Sequence, residues 1–362
     1  MITREWPLVP VYGTAVAFFA FEQPLLGGLA NPWWAGCALL WLFGVMMLSA
    51  FAVVRHSECL AEIFGEPYGT LILTFAITAI EVLMISAVML TGPEVSTTAR
   101  DTMFAVMMIV FNGMAGLVLL VGGLRYHEQT YSLQGANAFL AVIVPLAVLG
   151  LVLPNFTSAP GGTLSGLHEG FLILMSVGLY AVFLAIQTLR HKHYFLDHGE
   201  AEEERAPPIT DLRPAAYHGV LLILYIVPIV LLSKKIAVPI DFGVRVLGAP
   251  AALVGFLVAV LIMSPESLSA LRASLANQLQ RSINLLLGSV LASISLTIPA
   301  VLAIGLLTDR TVVLGLEPVD MLLLLLTLAS ALLTYASGRT NILLGAIHLL
   351  LFGAYVVLIF DR

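Results

Sequence analysis

Apolar runs of about 20 residues recur from one end of this chain to the other, and no other feature narrows its possible folds as much. A hydrocarbon core about 30 Å thick takes about 20 helical residues to cross. Inside lipid every backbone N–H and C=O must be satisfied by the protein itself, which leaves helices and closed barrels. The runs are continuous and lack the alternation of polar and apolar residues that marks a membrane barrel. Only 10% of the residues are charged and 60% are hydrophobic, whereas ordinary soluble chains are about 25% charged. The sequence therefore reads as an all-α integral membrane protein.

Hydropathy divides it into about eleven transmembrane helices, over residues 8–30, 33–56, 67–91, 102–124, 135–153, 165–189, 215–233, 246–270, 280–308, 318–336 and 341–360. The first run follows a lone Arg4 and lacks an A-x-A cleavage site, so it reads as a retained helix rather than a signal peptide. An odd helix count puts the two termini on opposite sides. Ten Lys and Arg fall on the N-terminal side (Arg4, Arg55, Arg125, Arg190, Lys192, Arg205, Arg213, Arg272, Arg281, Arg339) and six on the other. The positive-inside rule then places the N-terminus in the cytoplasm and the C-terminus opposite, and the chain is expected in the cell's inner (plasma) membrane. Cys37 and Cys59 offer neither zinc spacing nor a disulfide framework. A formal charge of −6 with no basic, aromatic-laced stripe argues against a nucleic-acid partner, leaving cations, protons and the bilayer.

One polar stretch interrupts the helices. Residues 191–214 carry the acidic run Glu200, Glu202, Glu203 and Glu204, which reads as a solvated cytoplasmic linker, with a cation-sensing role as the alternative. It divides the chain into a leading helix (1–32), a first group of five helices (33–190) and a second (215–362). In the first group ITAIE ends at Glu81, and in the second IMSPE ends at Glu266. FNGMAGLVLLVG, from Phe111, aligns with GSVLASISLTIP, from Gly288, on the next helix of each group. Five being odd, the second repeat must be inverted, an architecture of secondary transporters with sites near the midplane.

Glu81 sits within LTFAITAIEVLMISAVML, with no Lys or Arg on its helix to pair with. An ionised carboxylate at the bilayer centre costs at least about 3 kcal/mol, so it is protonated, paired or facing a wet cavity. Oxygen ligands suit hard cations. Glu81 and Glu266 supply charge, Asn112, Ser289 and Ser293 neutral oxygens, and Pro265 removes a backbone donor and frees a carbonyl. Two carboxylates that converge on one pocket and hold either two protons or one divalent cation keep the site neutral in both loaded states, which gives exchange rather than leak. Helix packing is the competing reading for the three neutral residues, and a hydrogen-bonded packing role for His348, which could otherwise relay protons. Glu58 is placed at the end of the second helix, with Glu62 and Glu66 in the loop after it, and Glu22, His168 and Glu169 near helix ends.

At these residues the chain resembles the cation/proton exchangers of the calcium:cation antiporter superfamily, and more closely the bacterial ChaA-type calcium/sodium/potassium:proton antiporters. The likeness runs from about residue 33 to the end, through VVRHSECLAEIFGEPYGTLIL, ITAIEV, LLVGG, the stretch VAVLIMSPESLSALRASLANQ that leads into the ninth helix, and SGRTNILLGAIHLLLFGAYVVLIF. It implies a leading helix plus two inverted five-helix repeats, with Glu81 and Glu266 at the family's two ion-binding glutamates. It also implies Ca2+, Na+, K+ and H+ as transported ions, with no cofactor. Three departures point to a monovalent or mixed preference: ITAIE for the family's GNxVE, Ser267 where many calcium exchangers have His, and Ala292 where Gln is common. A cation channel using the same acidic site is the rival function, separable by current without obligatory proton exchange. An intramembrane enzyme is disfavoured, because HEGFL at 168–172 lacks the second histidine of HExxH and no GxSxG is present.

Overall fold

The computed structural model describes residues 5–65, 68–91, 95–195 and 213–361. Eleven main helices order the chain: α1 (Leu8–Ala20), α2 (Pro32–Phe64), α3 (Tyr68–Thr91), α4 (Thr98–Tyr126), α5 (Leu133–Phe156), α6 (Gly166–Arg190), α7 (Ala215–Arg245), α8 (Ala252–Leu275), α9 (Leu279–Thr308), α10 (Pro318–Thr334) and α11 (Ile342–Phe360). Among the described residues nine are long and apolar enough to cross a membrane, and α1 and α10 are shorter. Their starts follow local chemistry. The Asn31 side chain accepts from Trp33 N (3.0 Å) with Pro32 at the first position of α2, and Ser132 and Asn341 cap α5 and α11 in the same way.

Three boundaries differ from the hydropathy reading. The leading run breaks at Phe21 (φ −118°, ψ 40°), so α1 has 13 residues and a short helix, Glu22–Leu26, follows it. The second helix continues to Phe64, which puts Glu58 and Glu62 on helix; Glu66 lies outside the described residues. The seventh runs on to Arg245, placing Lys235 on α7, where its Nζ meets Glu22 Oε2 at 2.7 Å. The acidic run 200–204 lies outside the described residues.

Two compact units divide the chain, each drawn from both halves of the sequence: unit 1 is Met1–Pro93 with Ile209–Pro265, and unit 2 is Glu94–Pro208 with Glu266–Arg362. In unit 1, α2 packs along α7 and both hold α3. Ser49 donates to Tyr225 O (2.8 Å), Tyr12 to Leu224 O (2.9 Å) and Trp41 Nε1 to Thr14 (3.0 Å).

In unit 2, α4 packs against α11 through glycines. A Cβ at Gly345 would stand 2.5 Å from Leu120 N, and one at Gly116 2.9 Å from Leu349 N, so only hydrogen fits between the two backbones. Two short ladders complete the unit. β1 (Val95–Ser96) pairs in parallel with β3 (Thr311–Val312), and β2 (Gln129–Thr130) antiparallel with β4 (Arg339–Thr340).

Candidate functional site

Glu81 lies in unit 1, near the middle of α3, and is 1% exposed. Its neighbours along the helix, Ile77, Ile80, Met84 and Ile85, are buried and apolar. Glu266 opens the unit 2 portion of α8 directly after Pro265 and is also buried.

The structure brings Glu266 and Ser289 together: the Ser289 hydroxyl, on α9, is hydrogen-bonded to Glu266 Oε2, and Leu285 O lies 2.8 Å from the same hydroxyl. A hydroxyl has one hydrogen and two lone pairs. Against an ionised Glu266, Ser289 donates to the carboxylate. Against a protonated Glu266, its hydrogen goes to Leu285 O and its oxygen accepts from the acid. With the hydrogen on Leu285 O, serine and carboxylate also turn lone pairs outward together, a face of hard oxygens of the kind cations take. One pair of side chains thus serves three states without changing rotamer.

Asn112 and Ser293 occupy matching irregularities. The helical ladder widens to π geometry at Met108–Met114 in α4, which contains Asn112, and at Ser293–Thr297 in α9, which Ser293 begins. Such π turns frequently mark functional positions because they free backbone groups and re-aim side chains. The Asn112 amide is held within unit 2: Nδ2 donates to Thr327 Oγ1 (2.8 Å), and Oδ1 lies 3.0 Å from His348 Nδ1. His348 Nε2 in turn meets Thr334 Oγ1 at 2.9 Å. His348 is therefore a hydrogen-bonded packing histidine that orients Asn112. Of the five expected ligands, a hydrogen bond joins Glu266 to Ser289, while Asn112 is bonded to α10 and α11 and Glu81 lies in unit 1.

Two hydroxyls escaped the sequence reading. Ser295 Oγ and Thr297 Oγ1, in the π segment of α9, are buried with no hydrogen-bond partner among the described residues. The signal was the run SISLT in an otherwise apolar helix. Among the described residues no cluster of three or more His, Cys, Asp or Glu is assembled. Glu266 and Ser289 instead offer carboxylate and hydroxyl oxygen, donors of the kind that hard cations take.

A bundle of this length and apolarity, with buried carboxylates on α3 and α8 and π segments in α4 and α9, has the features of a secondary membrane transporter. Residues 34–189 and 217–360 both match the family described as sodium/calcium exchanger protein, and the chain belongs to that family of cation antiporters. It is 40% identical over 326 residues to the sodium-potassium/proton antiporter ChaA of Escherichia coli, covering 89% of this chain and 88% of that one. Its fold is similar to that of the Ca2+/H+ antiporter protein YfkE, with a TM-score of 0.71 at 16% identity, covering 99% of this chain and all of the other. The H+/Ca2+ exchanger CAX gives a TM-score of 0.65 at 16% identity, covering 93% and 88%.

Proposed function

We propose that this antiporter moves Na+, K+ and Ca2+ out of the cytoplasm in exchange for protons, with Glu81 and Glu266 as its cation- and proton-binding carboxylates. Ser289 changes hydrogen-bond role with the state of Glu266, and Ser293 and Asn112 supply oxygens on the π segments. The reading rests above all on the Ser289 hydroxyl shared between Glu266 and Leu285 O, which lets one carboxylate hold a proton or face a cation in the same geometry. Two carboxylates carry two negative charges, so two protons or one divalent cation neutralise them equally. A buried charge left uncompensated would be costly, which disfavours moving the empty, ionised form.

The sodium-potassium/proton relative supports a mixed cation preference, as do Ser267 and Ala292. The two stretches matched by one family support an inverted repeat over 33–190 and 215–362. The excess of Lys and Arg on the N-terminal side supports a cytoplasmic N-terminus in the inner membrane, with the acidic linker 191–214 on the same side. Relatives that are transporters support a role in transport rather than an enzyme activity.

The test is proton flux in proteoliposomes carrying a pH-sensitive dye, with Na+, K+ and Ca2+ supplied separately. Wild type is expected to move protons on addition of each accepted cation, and Glu81→Gln and Glu266→Gln to abolish the movement. Absence of cation-dependent flux in wild type, or full flux in either variant, refutes the assignment. Current without proton exchange would make the protein a channel.

A further inference from the structure

Where α6 begins and α9 ends, unit 2 holds an open cavity that the transport reading does not use. Its volume is about 250 Å3, and among its lining residues are Thr163 and Leu164 ahead of α6, Glu169 in the first turn of that helix, and Leu306, Asp309 and Arg310 at the end of α9. A space of that size has room for several waters. A bare hard cation instead needs about six to eight oxygens within about 2.6 Å. Two carboxylates and one guanidinium around such a space do not make that cage, but they match the two ends of a larger, zwitterionic group.

Asp309 is the residue whose charge most needs a reason. It follows the last turn of α9 in the left-handed conformation (φ 55°, ψ 39°), with its N–H donated to Gly305 O. Asn takes that conformation as readily as Asp, so the turn itself does not call for a charge. Helix electrostatics oppose it, since the C-terminal end carries about half a negative charge and favours cations. A cationic group entering the cavity relieves the repulsion. Glu169 adds a second carboxylate to the same lining, and no hydrogen bond or ion pair from another described side chain reaches it. Arg310 supplies the opposite charge, a planar fork of donors that matches a phosphate.

The position selects the source of such a ligand. The ends of spanning helices lie at the level of the lipid headgroups. Leu306 lines the cavity and is also 60% exposed, and Leu307 and Leu167 on the same two helix ends are exposed as well. On a spanning helix such side chains meet acyl chains, so a headgroup in the cavity lies directly over an apolar surface for its own tails.

We propose that this cavity is a lipid site for phosphatidylethanolamine, with the primary ammonium on Asp309 and Glu169, the phosphate on Arg310 and the acyl chains along Leu306 and Leu307. The ammonium has three N–H donors. Phosphatidylcholine has a quaternary nitrogen with no hydrogen to give, and phosphatidylglycerol brings no cation to a lining with two carboxylates. The bound headgroup ties the start of α6 to the end of α9, the helix that carries Ser289, whichever ions the protein moves.

The test uses the full-length protein in detergent micelles. Thermal unfolding is followed at graded mole fractions of phosphatidylethanolamine, phosphatidylcholine or phosphatidylglycerol. Wild type is expected to reach half of its stabilisation at a mole fraction about tenfold lower with phosphatidylethanolamine than with the other two, the scale of one lost hydrogen bond between charged groups. Asp309→Asn, which keeps the left-handed turn, should narrow the gap to phosphatidylcholine, and Asp309→Asn/Glu169→Gln should close it. Arg310→Gln should weaken both lipids, because both carry the phosphate. Coincident curves in wild type, a gap kept in the double variant, or unchanged curves in Arg310→Gln overturns the proposal. Soluble glycerophosphoethanolamine is expected to give no protection at matched concentration; equal protection would put a free solute rather than a lipid in the cavity and overturn it too. Every readout is independent of transport, so failure here leaves the exchange assignment untouched.

Discussion

Ser289→Ala removes the hydroxyl that serves Glu266 and leaves a methyl group in its place. When a cation is bound, the Ser289 oxygen faces the ion beside Glu266, and the lost contact, on the scale of a hydrogen bond to a charged group, is worth about 1.5–3 kcal/mol. When Glu266 is protonated, the lost bond is between neutral groups and is worth about 1 kcal/mol. The cation-loaded state is therefore penalised more than the proton-loaded one by about 0.5–2 kcal/mol. At about 1.4 kcal/mol per decade, the half-saturating Na+ concentration at fixed pH should rise roughly tenfold, within limits of about 2-fold and 30-fold. Maximal flux at saturating Na+ should change little, and Ser289→Thr, which keeps the hydroxyl, should stay near wild type. The assay is dye-reported proton flux in proteoliposomes across a Na+ series. An unchanged half-saturation in Ser289→Ala, or an equal loss in the threonine variant, would show that the hydroxyl contributes packing alone.

Further outcomes follow from other parts of the structure. Gly345→Ala puts a methyl 2.5 Å from Leu120 N, which forces α11 off α4, and should destabilise by about 1–3 kcal/mol, seen as earlier thermal unfolding in detergent. Replacing the two hydroxyls that have no hydrogen-bond partner among the described residues, Ser295→Ala with Thr297→Val, should leave stability equal or higher while weakening cation affinity if they line the ion's route; unchanged affinity would assign them to packing. Burial pushes the Glu5 carboxyl up, but the hydrogen bond from the Tyr225 hydroxyl (3.0 Å) and the charge of Arg55, whose Nη2 is 2.7 Å from Glu5 Oε2, outweigh it and hold it below its ordinary value. The stability it contributes is thus present above the ordinary carboxylate range and lost as pH falls through that range and below. Glu5→Gln should melt earlier than wild type at pH 7, with the difference closing toward pH 3; a constant difference would remove the charge from the explanation.

Much of this architecture was legible because lipid imposes one rule on all spanning segments, so helix number and the places of Glu81 and Glu266 follow from run length and isolated charge. What hydropathy cannot see is where a helix goes after it leaves the apolar run. The turns of α2 beyond residue 56 are polar in sequence and continue because α7 packs beside α2 in unit 1. Lys235 sits on helix rather than in a loop because Glu22 offers a partner once the first run breaks at Phe21. The π turns leave no compositional trace beyond small and hydroxylated residues. Asn112 was readable as a polar group in an apolar helix, but not that His348, 236 residues away, would already hold its oxygen. His218 drew no notice because its partner, His56, lies 162 residues earlier.

The pairing of Ser49 with the carbonyl of Tyr225 sets a schedule for biogenesis, since 176 residues separate donor from acceptor. At about 5–20 residues per second, α2 waits roughly 10–35 s on the ribosome for the helix that completes its surroundings. Throughout that interval its hydroxyl and imidazole must be accommodated by the translocon, by water or by a provisional neighbour. Nascent chains halted before residue 215 should therefore linger beside the insertion machinery, and those extended past residue 245 should leave it.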